Sequence, residues 1–479
     1  MLIRGADIYG NGYSDLRISN GVVAAIGQLE SQAGERVIEA RGGALLPGLH
    51  DHHIHLAALA AKASSVACGP PAVNNAAELE EALLAAPGKG WLRGIGYHES
   101  VMDGLPDAAA LDAIAPHRPL RIQHRSGRMW LLNTMAMEAL IAAAPPPAGM
   151  ERLGSGFTGR LFDEDGWLQE ALGSTPPDFG VASAALVRFG ITGFTDMSVR
   201  NDPVIAAHFA AQRRAGALRQ RCILAGSLAL ANAPDDTWHL GPAKLHLHEA
   251  NLPPFEDAVR FIEAAHEQGR PVAVHCVSEV ELVFALAALA EAGTRPGDRI
   301  EHVSVASLKL VEQMAQLGLS GCVQPQFVAE RGDRYLLDVE ARHQGDLYRL
   351  HSLTSFGIPI AGGSDAPYGS ADPWLAMAAA VSRRTSSGAV VGADEAIGPD
   401  EALRLYLSDP LDFTRSRSIS VGAPADLCLL ARPWAKARVQ LSSDHVVATL
   451  VAGEVVHHRV DESPIMSHTG TDATSTQHH

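Results

Sequence analysis

Short apolar runs separated by helix-like stretches fill the middle of this chain, and that alternation restricts its fold more than any other feature. The runs are GFTDM (193–197), RCILAG (221–226), AKLHLH (243–248), PVAVHC (271–276), RIEHVS (299–304), GCVQP (321–325) and PIAGGSDAP (359–367). Stretches such as FEDAVRFIEAAHEQG and ELVFALAALAEAG lie between them. With ALLPG near 44–48 the count reaches eight strands. Eight strand–helix repeats point to an α/β protein built on a (β/α)8 TIM barrel. An open doubly wound sheet is the alternative, but no Gly-rich nucleotide fingerprint follows a strand.

The two ends read differently. LIRGADIY, DLRIS and VVAAIG are short strands, and Asn20-Gly21 between the last two is a hairpin signal, because both residues tolerate φ > 0. RVIEA follows, and ADLCLLAR and HVVATLVAGEVVH resume the strand pattern near the other end. Residues 1–48 and 415–460 are therefore expected to form one small composite β-sandwich, with the barrel over 49–414. Residues 56 to about 190 are too long for one barrel crossover. An inserted α/β subdomain at about 65–185, placed to cap the barrel mouth, accounts for them. Residues 461–479 are polar and aperiodic and read as a disordered tail.

A net charge of −16 argues against a nucleic-acid partner. Five scattered cysteines with no CxxC pair argue against a disulfide framework or a cysteine-based zinc site. No apolar run approaches the ~18 residues of a membrane span, and MLIRGADIYG has no signal-peptide core. The expectation is a cytoplasmic protein with a small-molecule substrate and no membrane partner; a homo-oligomer is compatible with all of this.

Residues 47–55, PGLHDHHIH, place four histidines within six positions. In an extended segment side chains two apart share a face, so His50 pairs with His52 and His53 with His55, and Asp51 joins the second pair. Spacing alone does not choose between the pairs. Barrel sites form at the C-terminal ends of the strands. There the sequence offers His53 and His55, Lys244, His275, His302 and Asp365. Imidazoles with a carboxylate suit a divalent ion such as zinc.

PGLHDHHIH resembles the PGxxDxHxH motif of the amidohydrolase superfamily. The lysine of AKLHLH, the histidines of VAVHC and RIEH, and GGSDAP follow in the family's order, and GAPADLCLL matches the return of its composite sandwich. The long insertion, with QHRSGRMWLLNTMAMEAL and GFTGRLF, resembles the branch that includes N-substituted formamide deformylases. The resemblance implies a binuclear centre of two divalent ions, one on His53, His55 and Asp365, the other on His275 and His302. A carboxylated Lys244 would bridge them, and Asp365 would act as general base toward a metal-activated hydroxide. His50 and His52 would point elsewhere, and Asp51 would support the ligands from behind.

The chain departs from that branch at Ser126-Gly127-Arg128, at His248 and at Val277-Ser278, all places that would line a substrate pocket. Arg125 and Arg128 suit a carboxylate by bidentate hydrogen bonds. His248, Tyr97, Trp130 and Gln324 are further pocket candidates. The expected activity is metal-dependent hydrolysis of an amide-like C–N bond in a small molecule. The alternatives are a mononuclear aminohydrolase that deaminates a ring and a non-catalytic scaffold that keeps the fold.

Overall fold

A computed structural model describes residues 1–173 and 176–459. The tail at 461–479, expected to be disordered, lies outside the described residues. The chain divides into two compact units, Met1–Leu56 with Asp178–His479, and Ala57–Pro177.

The first unit holds eight parallel strands: β1 (Leu49–Ile54), β2 (Ile191–Asp196), β3 (Arg221–Gly226), β4 (Trp238–His246), β5 (Val272–Cys276), β6 (Arg299–His302), β7 (Ser320–Val323) and β8 (Ile360–Gly362). They pair in chain order from β1 to β8. Two backbone bonds then join the segment after β8 to β1: Asp365 N–H donates to the His53 carbonyl (2.7 Å), and His55 N–H to that of Ala366 (2.9 Å). The chain thus forms a nearly closed (β/α)8 barrel. Its strands read as apolar runs because parallel strands with helices outside are buried on both faces.

The intervening helices follow from periodicity and caps. In Phe255–Glu267 the buried residues Ala258, Ile262 and Ala265 recur at helical spacing. Helix Glu279–Ala292 starts at a capping box, with Ser278 as cap and Glu281 reaching back.

Both chain ends build one sheet. Its strands run, in spatial order, 454–458, 446–451, 427–430, 44–47, 2–8, 12–19 and 22–27, with 37–39 paired to 2–8. Ile3, Ile8, Leu16 and Leu45 share a core with Leu427, Leu429 and Leu450 from the far end. At the predicted hairpin Asn20 and Gly21 both take positive φ (51° and 76°) between paired Ser19 and Val22. One strand assignment is corrected. Ala44–Pro47, counted above as the first barrel strand, belongs to this end sheet, and the barrel starts at Leu49. Gly48 separates two strands that follow each other directly, so the sequence presents them as one run.

The second unit, Ala57–Pro177, has a six-stranded sheet of its own, in the order 150–153, 156–162, 129–132, 120–124, 92–97 and 66–67. Its core includes Leu79, Leu83, Leu92, Leu111, Ile122 and Leu131. All five cysteines are unpaired and buried. No described helix is long and apolar enough to cross a membrane.

Candidate metal centre

The site is built where the end of β1 meets the segment after β8. At Gly363 any Cβ would lie 2.5 Å from the His53 Cβ, so only glycine permits this approach. It brings Asp365 to both histidines of the His53-Ile54-His55 segment: Asp365 Oδ1 stands 3.5 Å from His53 Nε2 and 3.2 Å from His55 Nε2. The three donor atoms lie within 4.8 Å of one another. Asp365 itself has φ +53° and His302 φ +73°. A non-glycine residue held in the left-handed region stores strain, a pattern that gathers at functional sites.

Hydrogen bonds fix which nitrogen of His53 faces this cluster. Its Nδ1 lies 2.5 Å from Glu301 Oε2, and Glu301 Oε1 accepts from Arg299 Nε at 2.6 Å. All three side chains are buried. An ionised carboxylate only accepts, so Nδ1 carries the proton and Nε2 is left with its lone pair. That nitrogen is buried and has no hydrogen-bond partner. A lone pair opposite a carboxylate oxygen calls for a cation between them.

A second pair stands close by. His302 Nδ1 donates to the side-chain oxygen of Gln324 (2.8 Å), which leaves Nε2 free of hydrogen and facing His275 Nδ1 at 2.9 Å. The ring of His302 also lies 4.7 Å from that of His53. Lys244, in β4, is buried, and its Nζ has no partner. Burial pulls its pKa below the usual lysine value, against the opposing charges of Glu301 and Asp365. His246 stacks on His275, ring centroids 4.3 Å apart. Burial pushes the Asp365 carboxyl up, but the His55 contact and the nearby His53 and His302 outweigh it and hold it below its ordinary value.

The remaining residues of PGLHDHHIH have other contacts. His50 Nε2 meets Thr195 Oγ1 at 3.0 Å, and His52 packs edge-on against Phe413. Asp51 touches no imidazole through its bonded oxygen; Oδ1 accepts the amides of His53 and Ser364 and so ties β1 to the segment after β8. Burial raises its pKa to about 7. A second cluster, His53, Glu301 and Cys322, has donor spacing as well. Both Glu301 oxygens are already engaged, and burial keeps the Cys322 thiol protonated, well above its ordinary pKa.

Among the expected pocket residues, Gln324 is engaged with His302, and exposed His248 caps a short turn by accepting from Ala250 N–H. The other four belong to the inserted unit. There Tyr97 is buried and donates to the Gly104 carbonyl (2.6 Å), and Trp130 is buried and donates to Asp165 (2.8 Å). Arg128 forms a two-pronged exposed pair with Asp163, and Arg125 is exposed.

Glu301 and Arg299 are the contributors that sequence reading missed. Strict alternation puts Glu301 and His302 on opposite faces. The positive φ at His302 breaks that alternation, and both turn toward His53. A carboxylate directly before the β6 histidine was the available signal.

A family model described as "Amidohydrolase family" matches residues 36–457. The N-substituted formamide deformylase of Arthrobacter pascens is 25% identical over 92% of this chain and 94% of its own length. Two uncharacterized metal-dependent hydrolases of known structure share the fold at 21% identity. The one from Pyrococcus horikoshii OT3 has TM-score 0.76 and covers 93% of this chain and 99% of that one. The one from Pyrococcus furiosus has TM-score 0.75 and covers 90% and 98%.

Proposed function

Because this chain belongs to the amidohydrolase family, we propose that it is a metal-dependent hydrolase that cleaves an amide-like C–N bond of a small molecule. One observation carries the reading: a proton-free, unpartnered His53 Nε2 faces the carboxylate of Asp365, beside His55. His53, His55 and Asp365 would hold one divalent ion, and His275 and His302 a second. Lys244, carboxylated on Nζ, would contribute to both. The imidazole and carboxylate donors suit zinc.

Bound divalent ions acidify water and polarise a carbonyl. The rest falls to the chain. Asp365, kept anionic, accepts a proton from the attacking water and passes it to the leaving nitrogen. Glu301 and Gln324 hold the His53 and His302 rings so that each presents Nε2. The name of the Arthrobacter pascens relative, a formamide deformylase, supports a C–N target.

Ring deamination draws less support. Such relatives place a glutamate three residues after the β5 histidine, where this chain has Ser278, engaged as a helix cap. The glutamate at 281 is spent on the amides of Glu249, Val277 and Ser278. A scaffold without activity has no need of six converging donors. The test is amine release from formamides, N-acyl amino acids and cyclic amides, before and after chelation. Chelator-sensitive hydrolysis is expected; ring deamination in its place would overturn the reading.

A further inference from the structure

The opposite end of the barrel holds a cavity that the proposed reaction does not use. It has a volume of about 230 Å3 and opens among the starts of β4 to β7, where Leu240, Pro242, Pro271 and Ser320 line it. A short hairpin, Ser408–Asp409 with Asp412–Ser416, brings Leu411 and Phe413 to its wall. Two arginines, Arg295 and Arg299, supply the charged lining, and no acidic residue lines it.

Both guanidiniums have unused donors. Arg299 is 3% exposed. It bonds through Nε to Glu301 and through Nη2 to the His52 carbonyl and Met197, which leaves Nη1 without a protein acceptor among the described residues. Its guanidinium lies over the Phe413 ring, 4.9 Å from the centroid. Arg295 donates from Nη1 to the His266 carbonyl, its Nε is enclosed by protein, and its Nη2 has no acceptor among the described residues. A third arginine, Arg270, lies between the lining residues Gly269 and Pro271. It is buried and bonded to the carbonyls of Gly241, Ser227 and Pro242.

Of the nearby acids, Glu301 pairs with Arg299 through Nε alone, and the others are engaged elsewhere. Asp298 accepts the amides of Val272 and Arg295 and the His266 ring. Asp409 takes the Leu411 amide, and Asp412 the amide and hydroxyl of Thr414. A chain of net charge −16 therefore keeps a concave, cation-only spot with unspent N–H donors. Its lining mixes apolar side chains with polar surface in similar measure, and a few convergent polar groups among apolar ones are a usual feature of a small-molecule pocket.

We propose that this cavity is a second ligand site, for a small organic carboxylate with an apolar body. The guanidiniums of Arg295 and Arg299 would take the carboxylate as charge-assisted hydrogen-bond donors. Leu240, Leu411, Phe413 and the prolines would enclose the apolar part. An inorganic anion satisfies the arginines but leaves those walls empty; a neutral amide fills the walls but lacks the charge.

Calorimetric titration of the full chain, as purified with its metal, tests this with benzoate, benzamide and inorganic phosphate. Benzoate is expected to bind saturably, with benzamide and phosphate at least about tenfold weaker, the size of one lost charged hydrogen bond. Arg295→Ala should weaken benzoate about tenfold on the same grounds. Leu411→Trp, at a residue 60% exposed and so tolerant of change, should fill the cavity and block benzoate even if the arginine variant folds poorly. Among the described residues neither side chain is hydrogen-bonded to His53, His55, Lys244, His275, His302 or Asp365, so loss in these variants places the ligand here. No saturable benzoate binding, equal binding of benzamide, or benzoate affinity unchanged by Leu411→Trp would each overturn the proposal.

Discussion

Glu301 and His53 form a buried carboxylate–imidazole pair, Oε2 to Nδ1 at 2.5 Å, and that contact decides which His53 nitrogen faces Asp365. Replacing the carboxylate with an amide of equal size removes its charge and lets the ring accept either tautomer. Glu301→Gln is expected to lower metal affinity by about 10–100-fold, the usual effect of losing such a support. Competition with a chromophoric chelator reads this directly; unchanged affinity would show that the pair serves packing alone.

His53 and His55 converge with Asp365, whereas His50 and His52 contact Thr195 and Phe413. The purified protein should carry close to two divalent ions per chain. His53→Ala or His55→Ala should deplete metal, and His50→Ala or His52→Ala should not. Elemental analysis of the four variants distinguishes the pairs, and equal loss from both would reject the assignment.

Asp365→Asn keeps the shape of the side chain and removes its basicity. Turnover should fall by ~10²–10⁴, the usual worth of a positioned proton acceptor. Circular dichroism should be unchanged. Activity close to the parent on a responsive substrate would take Asp365 out of the proton path.

Lys244 Nζ is buried and unpartnered, and burial favours its neutral, nucleophilic form. Growth or incubation with 13C-bicarbonate should give a protein-bound carbamate signal by NMR, lost in Lys244→Gln. A fully metallated, active enzyme without that signal would point to a mononuclear site.

Acid stability should depend on Glu35, away from the metal centre. Its oxygens pair with Arg17 Nε and Nη2 at 2.9 and 3.0 Å, and this contact outweighs burial to lower its pKa to about 2. A depressed carboxyl stabilises the fold above its unfolded value, and the effect is lost as pH falls through the folded value. The stability gap between the parent and Glu35→Gln in urea should thus be constant above about pH 4.5 and close toward pH 2. A gap independent of pH across that window would assign the effect to packing.

The barrel was legible because its strands are buried on both faces and so stand out as apolar runs between amphipathic helices. The converging donors were legible because they follow a family's chain order. Ala44–Pro47 and Leu49–Ile54 were not separable, since two strands of different sheets meet at Gly48 without a polar break. Glu301 was hidden by the positive φ of His302, a backbone detail that no side-chain pattern announces. Gln324 was named as a pocket candidate, but its tie to His302 depends on the ring's orientation, which sequence does not carry.

Pairing of residues 44–47 with 427–430 sets a schedule for synthesis. An emerging chain has made Leu45 and its neighbours long before their partner strand exists. At about 5–20 residues per second the wait is roughly 20–80 s. Through that interval the first strands present an unpaired apolar edge, the kind that recruits other chains. Until Leu427–Leu430 arrives the nascent protein needs shelter from its neighbours, and loss of the last fifth of the chain would leave that edge open for good.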